Sequence, residues 1–156
     1  MRVIINGAGG RMGKALSAII ESSEKHCVAA YCSMEFATDE SQNIYNNINE
    51  YQGEADCIID FSNHLATADV IGYAVKRNLP VVVATTGQSE DELAIIKGAA
   101  ESIPVFYSQN MSLGVALLSC LAKIAAKAFP DADVEIVEKH HNQNSSITPK
   151  VSDVLL

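Results

Sequence analysis

The stretch Val3-Ile4-Ile5-Asn6-Gly7-Ala8-Gly9-Gly10-Arg11-Met12-Gly13-Lys14 decides how the rest of the chain is read. A short β-branched run leads into a glycine-rich turn over Gly7 to Gly13. Met12, Leu16, Ile19 and Ile20 then fall on one face of a helix spanning about Arg11 to Ser23. A turn of this kind has a physical use. Residues without Cβ let the backbone curl tightly, and the free amides at the helix start, with the helix dipole behind them, face an anion such as a phosphate. Gly13 lets the helix pack close to the strand. The glycine spacing is G-x-x-G-x-x-G with Gly9 added, not the strict G-x-G-x-x-G. The position of the turn, after the first strand and at the opening of an amphipathic helix, therefore carries the argument.

Beyond this turn, apolar runs alternate with helical stretches. Val28 to Tyr31, Ala55 to Phe61, Val81 to Ala84, Pro104 to Tyr107 and Val134 to Val137 read as further strands. His64 to Arg77 reads as a helix with Leu65, Ala68, Ile71 and Val75 along one side. Ser89 caps another helix through about Ala100, with Glu92 completing a capping box. Met111 to Ala128 is a strongly apolar helix. The polar, Asn-rich stretch Glu35 to Gln52 reads as mostly loop with room for one short helix. Such alternation predicts an α/β fold: a doubly wound, Rossmann-type parallel sheet with helices on both faces. The Val- and Ile-rich strands lack polar alternation, as expected when both faces are covered. With the glycine turn, this predicts a dinucleotide-binding domain over residues 1–138.

Composition narrows the partners. The 156 residues are 48% hydrophobic and 19% charged, which suits a globular chain, and the net charge is -8. That charge argues against nucleic acid and against anionic membranes as partners. Cys27, Cys32, Cys57 and Cys120 have no C-x-x-C spacing, so neither a zinc site nor any other metal site is expected, and buried free thiols suit a cytoplasmic protein. Lys123 and Lys127 interrupt the longest apolar segment, which reads as a buried helix rather than a membrane span.

Three more segments sit at strand carboxyl ends, where open α/β sheets bind ligands. These are Asp60-Phe61-Ser62, Ala84-Thr85-Thr86-Gly87 and Ser108-Gln109-Asn110-Met111-Ser112-Leu113-Gly114-Val115. Together with the glycine turn and Glu138-Lys139-His140-His141, their order and spacing resemble the dihydrodipicolinate reductases over about residues 1 to 143. The resemblance implies a reductase of lysine and diaminopimelate synthesis. In that family a nicotinamide dinucleotide delivers a hydride to a cyclic dicarboxylate imine, here 4-hydroxy-tetrahydrodipicolinate as substrate. It implies cofactor contacts at Gly7, Ala8, Gly9, Gly10, Arg11 and Met12, at Ala84, Thr85 and Thr86, and at Ser108, Gln109, Asn110 and Met111. It makes His140 the acid that protonates the product and His141 a substrate contact. It also implies a homo-oligomer.

The pattern departs from the family after His141. Asn144 stands where the family has a Lys, and Ser145 to Pro149 lacks the Ser-Gly-Thr segment that binds a substrate carboxylate. Residues 139–156 therefore read as the start of an incomplete substrate domain or an irregular tail. The alternative reading is a non-catalytic or truncated dinucleotide-binding module. The second strand ends in Tyr31-Cys32-Ser33-Met34, with no acid before Glu35 and no base nearby, so either NADH or NADPH fits and their affinities are expected within tenfold.

Overall fold

The computed structural model describes residues 1–108, 111–131, 133 and 135. The chain forms two compact units, Met1–Ser108 and Gln109–Leu156. The first unit runs β1 (Arg2–Asn6), α1 (Arg11–Glu21), β2 (Cys27–Cys32), β3 (Ile44–Tyr45), β4 (Cys57–Asp60), α2 (Thr67–Arg77), β5 (Val81–Val83), α3 (Glu90–Ala99) and β6 (Val105–Tyr107). The second unit contributes α4 (Leu113–Ala128). The domain boundary expected at residue 138 lies outside the described residues, as do Val134, Ile136 and Val137 of the strand expected just before it.

All pairings in the sheet are parallel, and the strands lie in the order β3-β2-β1-β4-β5-β6. Every carboxyl end therefore points to the same edge. The order reverses between β1 and β4, the place where a doubly wound sheet opens a crevice for a ligand. Register fixes what meets there: Asn6, the last residue of β1, pairs with Cys32 on one side and Asp60 on the other.

The strand period of two distributes the core. Ile4, Ala30, Ile58, Val81 and Val83 face one side, packed with Val70, Ile71 and Ala74 of α2 and Ile96 and Ala99 of α3. Val3 and Ile5 face the other side, with Ala8 and Ile20 buried beside them and Leu16, Val28 and Ile59 packed against them. Ile4, Ile5 and Ile58 are fully buried, each worth roughly 1.5–3 kcal/mol.

The helices start and stop for local reasons. Ser89 and Glu92 form the expected reciprocal capping box at α3. Lys76 and Arg77 occupy the last turn of α2, and Asn78 ends it in the left-handed region at φ 52°. The expected helix over His64 to Arg77 is divided, since a 3-10 turn over His64–Ala66 precedes α2. The Asn-rich segment was expected as loop with one short helix. It carries two 3-10 turns, Glu40–Gln42 and Ile48–Glu50, with the two-residue edge strand β3 between them. The expectation of buried thiols holds at Cys32, whose burial pushes the thiol up to about 12; it is met only in part at Cys57, which is half-buried, and fails at Cys27 and Cys120, which are exposed.

The closest backbone approach is that of the β1–α1 turn. Gly7 has φ +83°, and a Cβ there would sit 2.5 Å from the Phe61 carbonyl oxygen. A Cβ on Gly13 would overlap the Gly7 carbonyl and come within 2.6 Å of Ala8 Cα. Gly72, inside α2, would place its Cβ with nothing within 4 Å. Gly13→Ala should therefore cost at least about 2 kcal/mol by overpacking. Gly72→Ala should instead stabilise by roughly 0.5–1 kcal/mol through helix propensity. Urea denaturation of the two variants checks the contrast, and equal shifts would contradict the close approach at Gly13.

Candidate functional site

The site is built where the carboxyl ends of β1, β2, β4 and β5 meet. At the β1–α1 turn, the Gly7 and Ala8 amides both donate to the Cys32 carbonyl, at 2.8 and 3.0 Å. The Gly10 amide donates to Gly7 O at 3.1 Å. These three expected contact residues thus have their amides engaged within the protein, and what they offer a ligand is shape. Gly10 is the N-cap of α1 and supplies no side-chain cap. Among the described residues, the Lys14 amide, donating to Gly10 O at 3.0 Å, is the first in the helix with a backbone acceptor. The Arg11 and Met12 amides lie ahead of it, on exposed residues. A helix of eleven residues with its first turn uncapped presents donors and a positive dipole end to whatever occupies the crevice.

Beneath the turn lies a buried polar hub. Asp60 Oδ1 accepts from Asn6 Nδ2 at 2.8 Å, from Ser62 Oγ at 2.6 Å and from the Ser62 amide at 3.2 Å. Asp60 Oδ2 accepts from Thr85 Oγ1 at 2.8 Å. Asn6 Nδ2 also donates to Ser62 Oγ at 3.0 Å. Asn6, Asp60 and Thr85 are all buried. One carboxyl group thereby ties β1, β4 and β5 together beneath the crevice floor. Thr85 was expected as a cofactor contact, but its hydroxyl is turned inward to this hub, leaving its backbone as the part available to a ligand. Ala84 is buried beside it, with its amide donating to Asp60 O at 2.9 Å, and Thr86 is half-buried.

On the β2 side the sequence expectation changes. Ser33 to Phe36 form a tight turn, with the Phe36 amide donating to Ser33 O at 2.9 Å. Asn46 Nδ2 clamps that turn by donating to Met34 O and Phe36 O, at 2.9 and 3.0 Å. The turn carries Glu35 back over the glycines: its Oε2 lies 3.1 Å from where a Cβ on Gly9 would stand. An acid does therefore mark the end of the second strand, displaced a few residues and returned by folding. Beside it a cavity of about 420 Å³ is lined by Gly7, Gly10, Met34, Asn46, Ser62 and Leu65, among others.

On the β5 side, His64 Nδ1 lies 3.1 Å from both carboxyl oxygens of Glu92. Glu92 Oε2 accepts the Ser89 amide at 2.7 Å, and this bond, ahead of the one to His64, holds its carboxyl below the usual carboxylate range. Gln88 Nε2 donates to Thr85 O at 2.9 Å and Tyr107 donates to Gln88 Oε1 at 3.3 Å. Ser108 follows β6, its amide donating to Val83 O at 3.1 Å. Met111 belongs to the second unit, ahead of α4. Gln109, Asn110, His140, His141 and Asn144 lie outside the described residues. Among the described residues, no group of three or more His, Cys, Asp or Glu could hold a metal ion, and no helix is long and apolar enough to cross a membrane.

Comparison with known proteins joins this geometry to a family. The family model described as "Dihydrodipicolinate reductase, N-terminus" matches residues 1–111. The chain belongs to the dihydrodipicolinate reductase family. It is 45% identical over 143 residues to a 4-hydroxy-tetrahydrodipicolinate reductase of Caldanaerobacter subterraneus subsp. tengcongensis, covering 91% of this chain and 56% of that protein. It is 39% identical over 145 residues to the reductase of the same name from Clostridium novyi, with 91% and 57% covered. The chain thus spans little more than half the length of these relatives. Among solved structures, the dipicolinate-bound dihydrodipicolinate reductase from Paenisporosarcina sp. TG-14 superposes with a TM-score of 0.73 at 20% identity, covering 99% of this chain and 65% of that one. That likeness establishes a shared fold with this family member.

The hub yields a test. Asp60→Ala removes the carboxylate acceptor from the buried Asn6 amide and Thr85 hydroxyl, leaving them only Ser62 Oγ and a long contact to the residue-60 backbone carbonyl, at a cost of about 3 kcal/mol. Asp60→Asn keeps one acceptor oxygen, and the Thr85 hydroxyl can turn to accept from the new amide, so about 1 kcal/mol should be lost. Equal, small losses in guanidinium melts would show that Asp60 does not join the strands.

Proposed function

We propose that this chain is the cofactor-binding part of a nicotinamide-dependent 4-hydroxy-tetrahydrodipicolinate reductase. The observation that carries the reading is the uncapped start of α1, held by Gly7 and Gly13 against the sheet at its switch point, in a chain of this family. The residues fit a dinucleotide. The amides of Gly9, Arg11 and Met12 take the pyrophosphate, with Gly10 leaving the approach clear, since a Cβ there would meet only Gly7 O, at 3.3 Å. The cavity beside Met34, Asn46 and Leu65 takes the adenosine half. The nicotinamide half then crosses the switch point to the ends of β4 and β5, over Phe61 to Asn63 and Ala84 to Gln88. When bound there, the reduced nicotinamide supplies the hydride.

The protein's share is orientation and charge. Asp60 fixes the strands that bear the crevice floor, and Thr85 offers backbone rather than hydroxyl. Proton donation by His140, substrate contact by His141 and cofactor contacts by Ser108, Gln109, Asn110 and Met111 belong to this reading through the family resemblance. The substrate is a small dicarboxylate, as the dipicolinate-bound relative suggests. NADH is preferred over NADPH, because Glu35 stands over the turn where a 2′-phosphate would come, and among the described residues no Lys or Arg lines the adjoining cavity.

Isothermal titration of the chain with NADH and NADPH tests both parts. NADH should bind, and Gly10→Asp should abolish binding by setting a carboxylate against the pyrophosphate. NADPH should bind at least about tenfold more weakly, a difference of about 1.4 kcal/mol, and Glu35→Gln should narrow the gap. Unchanged binding in Gly10→Asp would remove the turn from the site, and equal affinities in the unaltered chain would remove the role of Glu35.

A further inference from the structure

The loop between β5 and α3 is held in an unusual way. Among the described residues, no backbone-to-backbone hydrogen bond of the turn-and-loop kind is made by residues 85 to 88. Side chains tie this loop instead. On one flank Gln88 bonds Thr85 O and receives the Tyr107 hydroxyl. On the other, Glu92 receives the Ser89 amide while both of its oxygens lie 3.1 Å from His64 Nδ1. The imidazole also borders the loop directly. Gly87 has φ +89°, and a Cβ on it would stand 3.7 Å from His64 Cδ2. His64 itself is fixed by the 3-10 turn after β4, where Asn63 Oδ1 caps the Leu65 amide at 3.0 Å.

We propose that His64, through Glu92, is a positioning residue that holds residues 85–88 in the shape that receives the nicotinamide half of the dinucleotide. The assignment rests on the dinucleotide reading above and extends it to a specific pair. The capping box would secure the start of α3 without His64, because Ser89 and Glu92 satisfy each other. What His64 adds is a link from the end of β4 to that cap, so the loop is drawn toward the crevice edge rather than left to swing from α3. A partly exposed pair of this kind contributes little to global stability. Its loss should therefore act on local loop populations, lowering the fraction of molecules competent to receive the nicotinamide. The adenosine half, bound against Met34, Asn46 and Glu35, meets this turn at Leu65 and Ala66, whose amides are held by Asn63 rather than by His64, and should not sense it.

The test compares the full chain with His64→Ala and His64→Asn, titrated with NADH and, separately, with ADP as a probe of the adenosine half. His64→Ala should weaken NADH binding roughly tenfold, as expected if about one molecule in ten keeps the competent loop, and should reduce the fluorescence change of the bound nicotinamide. ADP affinity and the urea midpoint should stay close to those of the unaltered chain. His64→Asn, whose amide nitrogen can take the place of Nδ1, should restore most of the NADH affinity. NADH binding unchanged in His64→Ala, or NADH and ADP weakened together, would overturn the positioning role while leaving the dinucleotide site standing. Failure of the unaltered chain to bind either ligand would overturn the dinucleotide reading itself and this assignment with it.

Discussion

The rest of the structure depends on how closely the β1–α1 turn approaches the backbone around it. The Gly7 and Ala8 amides converge on one carbonyl at the end of β2, while Gly7 lies against the Phe61 carbonyl beyond β4 and Gly13 lies against Gly7 and Ala8. Three segments thus meet with no room for a Cβ at Gly7 or Gly13. That packing brings the start of α1 close against the sheet, beside the cavity that Gly7 and Gly10 help to line. Among the described residues, the internal bonds of the turn use up the Gly7, Ala8 and Gly10 amides, while those of Gly9, Arg11, Met12 and the buried Gly13 have no backbone acceptor.

Beneath the turn, Asp60 keeps the crevice floor rigid. Buried polar groups are costly unless satisfied, and this one gathers four donors from β1, the segment after β4, and the segment after β5. The same carboxyl group that joins strands also withdraws the Thr85 hydroxyl from the ligand side. The polar floor is thereby fixed before any ligand arrives, which lowers the ordering cost of binding. In a chain of net charge -8, an anionic ligand must be held by such local donors, since the overall charge repels it.

The sheet was readable from the sequence because five of its strands are apolar runs set between clear helical periodicities, and the capping box of Ser89 and Glu92 marked α3 directly. Strand β3 was missed because two residues, Ile44 and Tyr45, carry no period, and the surrounding asparagines look like loop. They are loop formers put to structural use: Asn43 turns at φ 55°, Asn47 caps a 3-10 turn and Asn46 clamps Met34. The glycine turn was visible as a phosphate site, but which amides remain available required the fold. Glu35 looked misplaced, because the turn that returns it to Gly9 cannot be counted along the chain. Asp60 was visible only as a motif residue, since two of its partners, Asn6 and Thr85, come from β1 and from the segment after β5. The partnership of His64 with Glu92 spans 28 positions and had no local signal.

The proposed function stands on a dinucleotide pyrophosphate seated on the free amides at the start of α1. Two-dimensional ¹⁵N–¹H spectra of the chain, recorded while NADH is added, test it most directly. Large shifts are expected for the Gly9, Arg11 and Met12 amides, saturating together, with smaller changes at Ala8, whose amide is already bonded to Cys32. Saturable binding that leaves the Gly9, Arg11 and Met12 resonances in place would contradict it.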